Sequence, residues 1–352
     1  MGPVGEHATA VGRGMREGSR RAGAGVGRLP AARLLVAGLV ALLVLAGCGG
    51  GESGGGATPS GPTRTVDSER GPVQVPATPQ RIAVLSGSLA GDLFTLEAPV
   101  AVAEPRVLGV QPDATGFPPS WSAQATAQGT QRLASEGAGL SIEQIAAARP
   151  DLIIGGGQGF TAAQAANAYP QLQQIAPTVL LPAFTQWQDQ LTRIADVVGR
   201  SDRVPGLLQA YQDRAAQVRG ALRLPPQPTV FLYQARDGKP YVITPTAALP
   251  RIARDLGFVP DEVLTKANNP PLFGTGDSFE TSPELLPRVA DAPTAIVLPI
   301  GQRPLSQLQA DPVYARLPSF SSGQVYELPS TAFRPDYAGA MSTLDAFAAQ
   351  FR

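Results

Sequence analysis

The sequence predicts an α/β protein: two α/β lobes with largely parallel sheets, joined by one long interdomain helix. Two observations carry this reading. From about residue 66, short and nearly continuous apolar runs alternate with amphipathic ones, as expected for strands buried on both faces and covered by helices. These runs form two groups, separated by one long polar helix pattern, Pro205–Leu222.

In chain order, the first element is a leader. Arg13, Arg16, Arg20, Arg21, Arg28 and Arg33 precede an apolar stretch, Leu34–Ala46, that ends in Leu45-Ala46-Gly47-Cys48. A basic stretch, a short apolar core and small residues before a cut make a secretory signal. The core is shorter than the roughly 20 residues of a permanent bilayer span. Cys48, the only cysteine in the chain, gains a use as the lipid-bearing first residue of the exported protein. Residues 1–47 are therefore read as a lipoprotein signal peptide, and 48–65 as lipidated Cys48 with a flexible tether. Residues 49–65 are rich in Gly, Ser, Thr and Pro and reach about 20–25 Å as a random coil. Arg20-Arg21 leaves general secretory and twin-arginine export both open.

The N-terminal lobe is assigned to 66–202. Its expected strands are Arg81–Ser86, Val100–Glu104, Asp151–Gly155 and Thr178–Leu181; its expected helices are Leu89–Leu96, Ser141–Ala148 and Trp187–Val198. Gly109–Gly137 shows no clear strand–helix unit. The interdomain helix is assigned to 203–223. Leu207, Tyr211, Ala215, Val218 and Leu222 fall on one of its faces, and its length of about 27 Å suffices to bridge two lobes. The C-terminal lobe, 224–352, has expected strands Thr229–Gln234, Tyr241–Thr244, Thr294–Leu298 and Val325–Leu328, with helices Leu249–Leu256 and Ser282–Val289.

Composition excludes several chemistries. The one histidine, His7, lies in the leader, so the exported chain lacks Ser-His-Asp and Cys-His catalysis and Cys/His zinc sites. No paired-carboxylate motif stands out for glycosidase chemistry, and the protein is not expected to be an enzyme. Six of the 28 basic and two of the 28 acidic residues precede Cys48, so the remainder carries 22 basic and 26 acidic residues, a net charge of −4. A mildly acidic chain without a basic run does not point to nucleic acid.

One unit occurs once in each half. Ser141-Ile-Glu143-Gln144 opens a short helix that leads through Pro150-Asp151 into a strand, and Ser282-Pro283-Glu284 opens a second that leads through Asp291 into another. Each Ser is an expected N-cap; Gln144 completes a capping box, and Pro283 takes the first helical position. Glu143 and Glu284 occupy equivalent places, where acidic residues also complement a helix dipole.

The segment 139–156, GLSIEQIAAARPDLIIGG, resembles the N-lobe signature of the class III substrate-binding proteins of ABC importers, the cobalamin and iron–siderophore type. The resemblance extends through 73–96, 169–181, 197–214 and 311–330. It implies two lobes joined by a rigid helix, a ligand cleft between them, small lobe movements on binding, and a lipid anchor on the extracytoplasmic face of a Gram-positive-type cell membrane. It also implies that one Glu on each lobe, here Glu143 and Glu284, docks against arginines of the membrane permease. The expected function is capture of a ferric siderophore by a monomeric lipoprotein, held to the membrane by its lipid alone, for delivery to an ABC permease. No cofactor is expected beyond the iron–siderophore ligand.

A siderophore completes its metal's coordination, so its receptor needs donors and aromatic surface rather than metal ligands. Arginine forks bind anionic oxygens bidentately, and aromatic rings stack on catechol or macrocycle faces. Open α/β sheets bind ligands just past the C-terminal ends of strands. That rule and the clustering of Arg with aromatics select Ser86, Ser88, Gln158, Phe160, Tyr233, Arg236, Phe273, Arg303, Phe333, Arg334 and Tyr337. Trp121 is a further candidate at the N-lobe end of the cleft, whereas Trp187 reads as core.

The alternatives are a haem or cobalamin receptor, with Tyr233 or Tyr337 as an axial iron ligand, and a sensory or interaction lipoprotein without a transport role. A dinucleotide enzyme is disfavoured. Gly157-Gln-Gly159-Phe-Thr-Ala162 matches G-x-G-x-x-A, but Pro177–Pro182 supplies no acidic residue for a ribose.

Overall fold

A computed structural model describes residues 61–134 and 139–352; the leader, Cys48 and most of the tether lie outside them. Strands β1 (Thr63–Val66) and β2 (Val73–Pro76) pair antiparallel, so folded structure begins inside the segment assigned to the tether. Val66 and Val75 are buried, and Arg64 Nη2 donates to the Val197 carbonyl at 2.6 Å. These contacts pin the hairpin to the first lobe.

The N-terminal lobe runs β3 (Ile82–Val84), α1 (Gly87–Thr95), β4 (Val100–Ala103), α2 (Ser122–Gln128), β5 (Gln131–Arg132), α3 (Ile142–Ala147), β6 (Leu152–Gly156), α4 (Phe160–Leu172), β7 (Thr178–Leu181) and α5 (Trp187–Val198). Its sheet has the order β5-β4-β3-β6-β7 and is parallel throughout. The stretch with no expected unit thus holds both a helix, α2, and an edge strand, β5. Next comes α6 (Val204–Ala221), whose buried Val204, Tyr211, Ala215 and Val218 form one face.

The C-terminal lobe runs β8 (Thr229–Gln234), β9 (Pro240–Ile243), α7 (Ala248–Asp255), α8 (Val263–Lys266), β10 (Ser278–Glu280), α9 (Leu286–Val289), β11 (Thr294–Leu298), α10 (Leu305–Gln309), α11 (Pro318–Ser321), β12 (Val325–Glu327) and α12 (Tyr337–Gln350). Its sheet, β10-β9-β8-β11-β12, is mixed rather than largely parallel: β8, β11 and β12 run together, whereas β9 opposes both β8 and β10. The cause is local. Asp237-Gly238, with Gly238 at φ +83°, makes a tight turn in which the Ala235 N–H donates to the Lys239 carbonyl, and a loop this short joins only antiparallel strands.

The repeated Ser-x-Glu units differ in detail. Ser141 caps α3, its Oγ accepting from the Gln144 N–H at 3.2 Å. Gln144 does not close the expected capping box; its side chain instead bridges the Ala134 N–H and the Arg132 carbonyl. In the second unit α9 starts only at Leu286, because Pro287 has no N–H to bond back to residue 283. Ser282 Oγ still accepts from the Leu285 N–H at 3.3 Å, so the same cap closes a turn instead of an α-helix.

Each sheet packs one face in its own apolar cluster. A third cluster runs continuously from Val84 and Leu152 of the first sheet, through Leu191, Tyr211 and Phe347, to Phe231 and Ile296 of the second. Helix α12 lies along α6 and also meets α1. The lobes therefore share one core, built by α5, α6 and α12. Among the described residues no helix is long and apolar enough to cross a membrane.

Candidate functional site

The first sheet reverses its order at β3, with β4 on one side and β6 on the other. The loops after these strands diverge and leave a crevice at their C-terminal ends. A cavity of about 350 Å³ opens there, between the lobes. Its N-lobe wall is Ser86 and Ser88 after β3, Arg106–Gly109 after β4, and Gln158–Thr161 at the β6–α4 turn; the C-lobe adds Arg236 from the β8–β9 turn and Ser330, Thr331 and Arg334 between β12 and α12. Ser330 Oγ crosses the gap to the Gly109 carbonyl at 2.7 Å. Gly109 has φ +74°, and any Cβ on it would press on Ile300 and Ser330, so the close approach of the lobes requires glycine here.

The chemistry of the wall suits an oxygen-rich, anionic or polarised ligand. Three guanidinium groups converge, from Arg106, Arg236 and Arg334. Arg106 is gripped by Glu104 through Nε and Nη2, at 2.8 and 3.0 Å, and lies 5.4 Å from the Phe160 ring centroid. Arg334 is gripped by Asp277 at 2.6 and 3.2 Å and lies 4.8 Å from the Phe333 centroid. The Ser86 and Ser88 hydroxyls are 2.9 Å apart. Gln158 Oε1 is buried without a hydrogen-bond partner among the described residues, an acceptor left for a donor on a ligand. The N-terminus of α4, a 13-residue helix, adds its partial positive charge. Phe160 and Leu108 keep large exposed apolar faces at the wall. A larger open hollow, about 570 Å³, runs along α6 past Tyr211, Arg219 and Asp255, away from the strand ends and their converging donors.

Of the sequence candidates, the structure brings Ser86, Ser88, Gln158, Phe160, Arg236 and Arg334 to this cavity. Tyr233 and Phe333 lie behind it. Tyr233 stacks on Tyr241 at 4.9 Å and packs on Phe333; its hydroxyl meets Ser278 Oγ, and burial pushes the phenol up to about 12. Phe273 is exposed and edge-on to Tyr241. An aromatic ladder thus runs from Phe273 through Tyr241 and Tyr233 to Phe333 and backs Arg334 rather than lining the cavity. Arg303 is tied to Gln234 and Asp311 within its own lobe. Tyr337 packs edge-on to Trp187, and burial raises its phenol. Neither candidate for an axial tyrosinate lines the cavity, and burial disfavours ionising either one. Trp121 is buried on Phe94 at 5.1 Å and borders a small hollow with Ser88, Thr331 and Arg334 beside the cavity.

Arg106, Leu108, Thr161, Ser330 and Thr331 line the cavity without having been singled out from the sequence. Arg106 follows β4 by three residues, so the strand-end rule held its signal. The turn Gly157-Gln-Gly159 does lie between a strand and a helix, and here it floors the cavity. Glu143 and Glu284 are exposed, and neither forms an ion pair among the described residues. The Ser282 hydroxyl, with the residue's own N–H, holds the Glu284 carboxyl below its ordinary pKa.

Known proteins can be set beside this geometry. The ferric enterobactin-binding periplasmic protein FepB of Escherichia coli O6:H1 is 30% identical over 292 residues, 82% of this chain and 91% of that protein. The Fe(3+)-citrate-binding protein YfmC of Bacillus subtilis is 25% identical, over 82% and 86%. Among solved structures, holo-ViuP superposes with a TM-score of 0.68 at 24% identity, covering 81% of this chain and 93% of that one; at that identity the likeness concerns the fold. Residues 82–332 match the periplasmic binding protein family. With a shared core, a cavity at the strand ends of both lobes and a match spanning most of its length, the chain belongs to the periplasmic binding protein family, a family of substrate-binding proteins rather than of enzymes.

Proposed function

We propose that this protein captures a ferric siderophore in the interlobe cavity and delivers it to an ABC permease from the outer face of the cell membrane. The observation that carries this is the convergence of Arg106, Arg236 and Arg334 with the Phe160 face and the Ser86 and Ser88 hydroxyls on one cavity. Such a lining recognises the oxygen atoms and ring faces of a chelate whose metal is already coordinated. The names of FepB and YfmC, both ferric-chelate binders, agree with it. Trp187 reports on binding: it borders a small hollow with Ser88, Gln158 and Arg334 at the base of the cavity. Titrating the purified protein with ferric hydroxamates, ferric catecholates, haem and cobalamin is expected to give saturable quenching of tryptophan fluorescence by a ferric siderophore at micromolar or lower concentration. Saturation by haem or cobalamin alone replaces the siderophore reading; no response to any of them, with calorimetry equally silent, removes the transport reading.

The anchoring and docking roles belong to the same proposal. Cys48 carries the lipid, and Glu143 and Glu284, exposed at matching cap positions, meet cationic residues of the permease. The core shared through α5, α6 and α12 favours small lobe movements on binding. In whole-cell iron uptake, Glu143→Ala/Glu284→Ala is expected to abolish most import while leaving ligand affinity unchanged and the protein cell-bound, whereas Cys48→Ala releases the protein into the medium. Full uptake by the double variant refutes docking; electrophoretic mobility and membrane association both unchanged by Cys48→Ala refute the lipid anchor.

A further inference from the structure

The two lobes repeat one construction at the cavity. In the first, Glu104 sits just past β4 with its side chain fully buried, and Arg106 lies above it with 42% of its side chain exposed. In the second, Asp277 sits just before β10 with 5% of its side chain exposed, and Arg334 lies above it at 24%. Each carboxylate binds its guanidinium through Nε and Nη2, and each guanidinium is backed or flanked by a phenylalanine ring. The remaining cavity arginine, Arg236, is exposed and has no ion pair among the described residues. Three cations therefore face the cavity, and two of them have an anion directly behind.

We propose that Glu104 and Asp277 are positioning residues that also set the charge class of the ligand, tuning the cavity to a ferric chelate that is neutral or carries one negative charge. The inference rests on the siderophore reading above. A compensated arginine still offers directed N–H donors, so it recognises carbonyl and hydroxamate oxygens. Seen by a distant charge, however, a guanidinium with a carboxylate behind it is a dipole, and its attraction falls off faster than that of a lone cation. A trianionic chelate meets one uncompensated cation here where three uncompensated arginines would balance it. Rejection of the wrong ligand by a missing countercharge is a route to specificity that leaves the favoured contacts intact.

The test is a pair of titrations, with a neutral ferric tris-hydroxamate and a trianionic ferric tris-catecholate, on the full-length protein and on Glu104→Gln, Asp277→Asn and their double variant. Gln and Asn keep an acceptor for the arginine fork but remove the charge. Each substitution is expected to raise affinity for the trianion relative to the neutral chelate by about tenfold at low salt, and the double variant by about a hundredfold. Arg236→Gln, at an exposed position where folding is not at stake, is expected to move the ratio about tenfold in the opposite direction. A purely structural role for the carboxylates changes both affinities alike, so an unmoved ratio overturns the proposal. A wild-type preference for the trianion of more than tenfold also overturns it. Failure of the wild type to bind either chelate overturns the siderophore reading itself, and this proposal with it.

Discussion

Arg334→Ala is expected to weaken siderophore binding by about a hundredfold and to lower stability by about 3 kcal/mol, and the two losses have different causes. Affinity falls because a charged donor facing the cavity is lost; a hydrogen bond to a charged group contributes about 1.5–3 kcal/mol, and each 1.4 kcal/mol is about tenfold in affinity. Stability falls because Asp277, buried beneath Arg334, loses the partner that justifies its charge, and breaking one side of a buried pair costs about 3–5 kcal/mol. The naked carboxylate then also faces the ligand and adds repulsion. The double variant Arg334→Ala/Asp277→Ala separates these effects. It removes the orphaned charge, so most of the thermal stability is expected to return while the affinity stays low. Recovery of affinity in the double variant shows that Arg334 does not touch the ligand and acts only by masking Asp277. Calorimetric titration and thermal melts of the three proteins decide between the two.

What was legible in the sequence followed from burial. Thr178–Leu181, Thr229–Gln234 and Thr294–Leu298 are buried along their whole length, so their apolar runs mark them without help from context, and α5 spans the expected Trp187–Val198. Strand β5 carries no such mark: Gln131 and Arg132 are both exposed, and only pairing with β4 makes them a strand. The site divides the same way. Ser86, Ser88, Gln158 and Arg236 sit where a chain leaves a strand, a position that local pattern supplies. Tyr233 also sits at a strand end, yet its ring is claimed by Tyr241, its cross-strand partner, and its hydroxyl by Ser278 of β10. That claim depends on two antiparallel strands that a parallel reading of the sheet did not anticipate, although Asp237-Gly238 announces the first of them. Arg106 was missed because its direction is set by Glu104, two residues earlier, folding back beneath it. That is a tertiary choice with no periodicity to betray it.

Asp336→Asn is expected to stabilise the protein at pH 8 and to leave it unchanged at pH 4, because the fully buried carboxyl of Asp92 on α1 lies beside the half-buried carboxyl of Asp336 at the start of α12. Asp92, on α1, is fully buried; its Oδ1 accepts from the Tyr337 N–H at 3.0 Å and its Oδ2 from Gln190 Nε2 at 2.8 Å. Asp336 is the N-cap of α12, its Oδ1 accepting from the Gly339 N–H, and its other oxygen lies so close to α1 that no side chain fits at Gly91. Burial first, and the like charge of Asp336 second, push the Asp92 carboxyl up to about 8; burial raises Asp336 as well. The folded state therefore holds a proton that the unfolded chain, with an aspartate pKa of about 4, has already released. Stability is fully present below about pH 4 and declines as pH rises towards 8, since the folded state binds more protons across that window. Asn caps a helix as well as Asp does, so the substitution keeps the Gly339 contact and removes the like charge. A gain of about 2 kcal/mol at pH 8, read as a thermal midpoint higher by a few degrees, should fade to nothing by pH 4. A midpoint raised equally at both pH values points to better packing instead, and an unchanged slope shows that the two carboxyls do not repel each other. The same pair reaches the cavity: Gln190, which bonds Asp92, also donates to the Ser88 carbonyl at 2.9 Å. Gln190 thus links the Asp92 carboxyl to the turn of α1 that presents the Ser86 and Ser88 hydroxyls to the ligand.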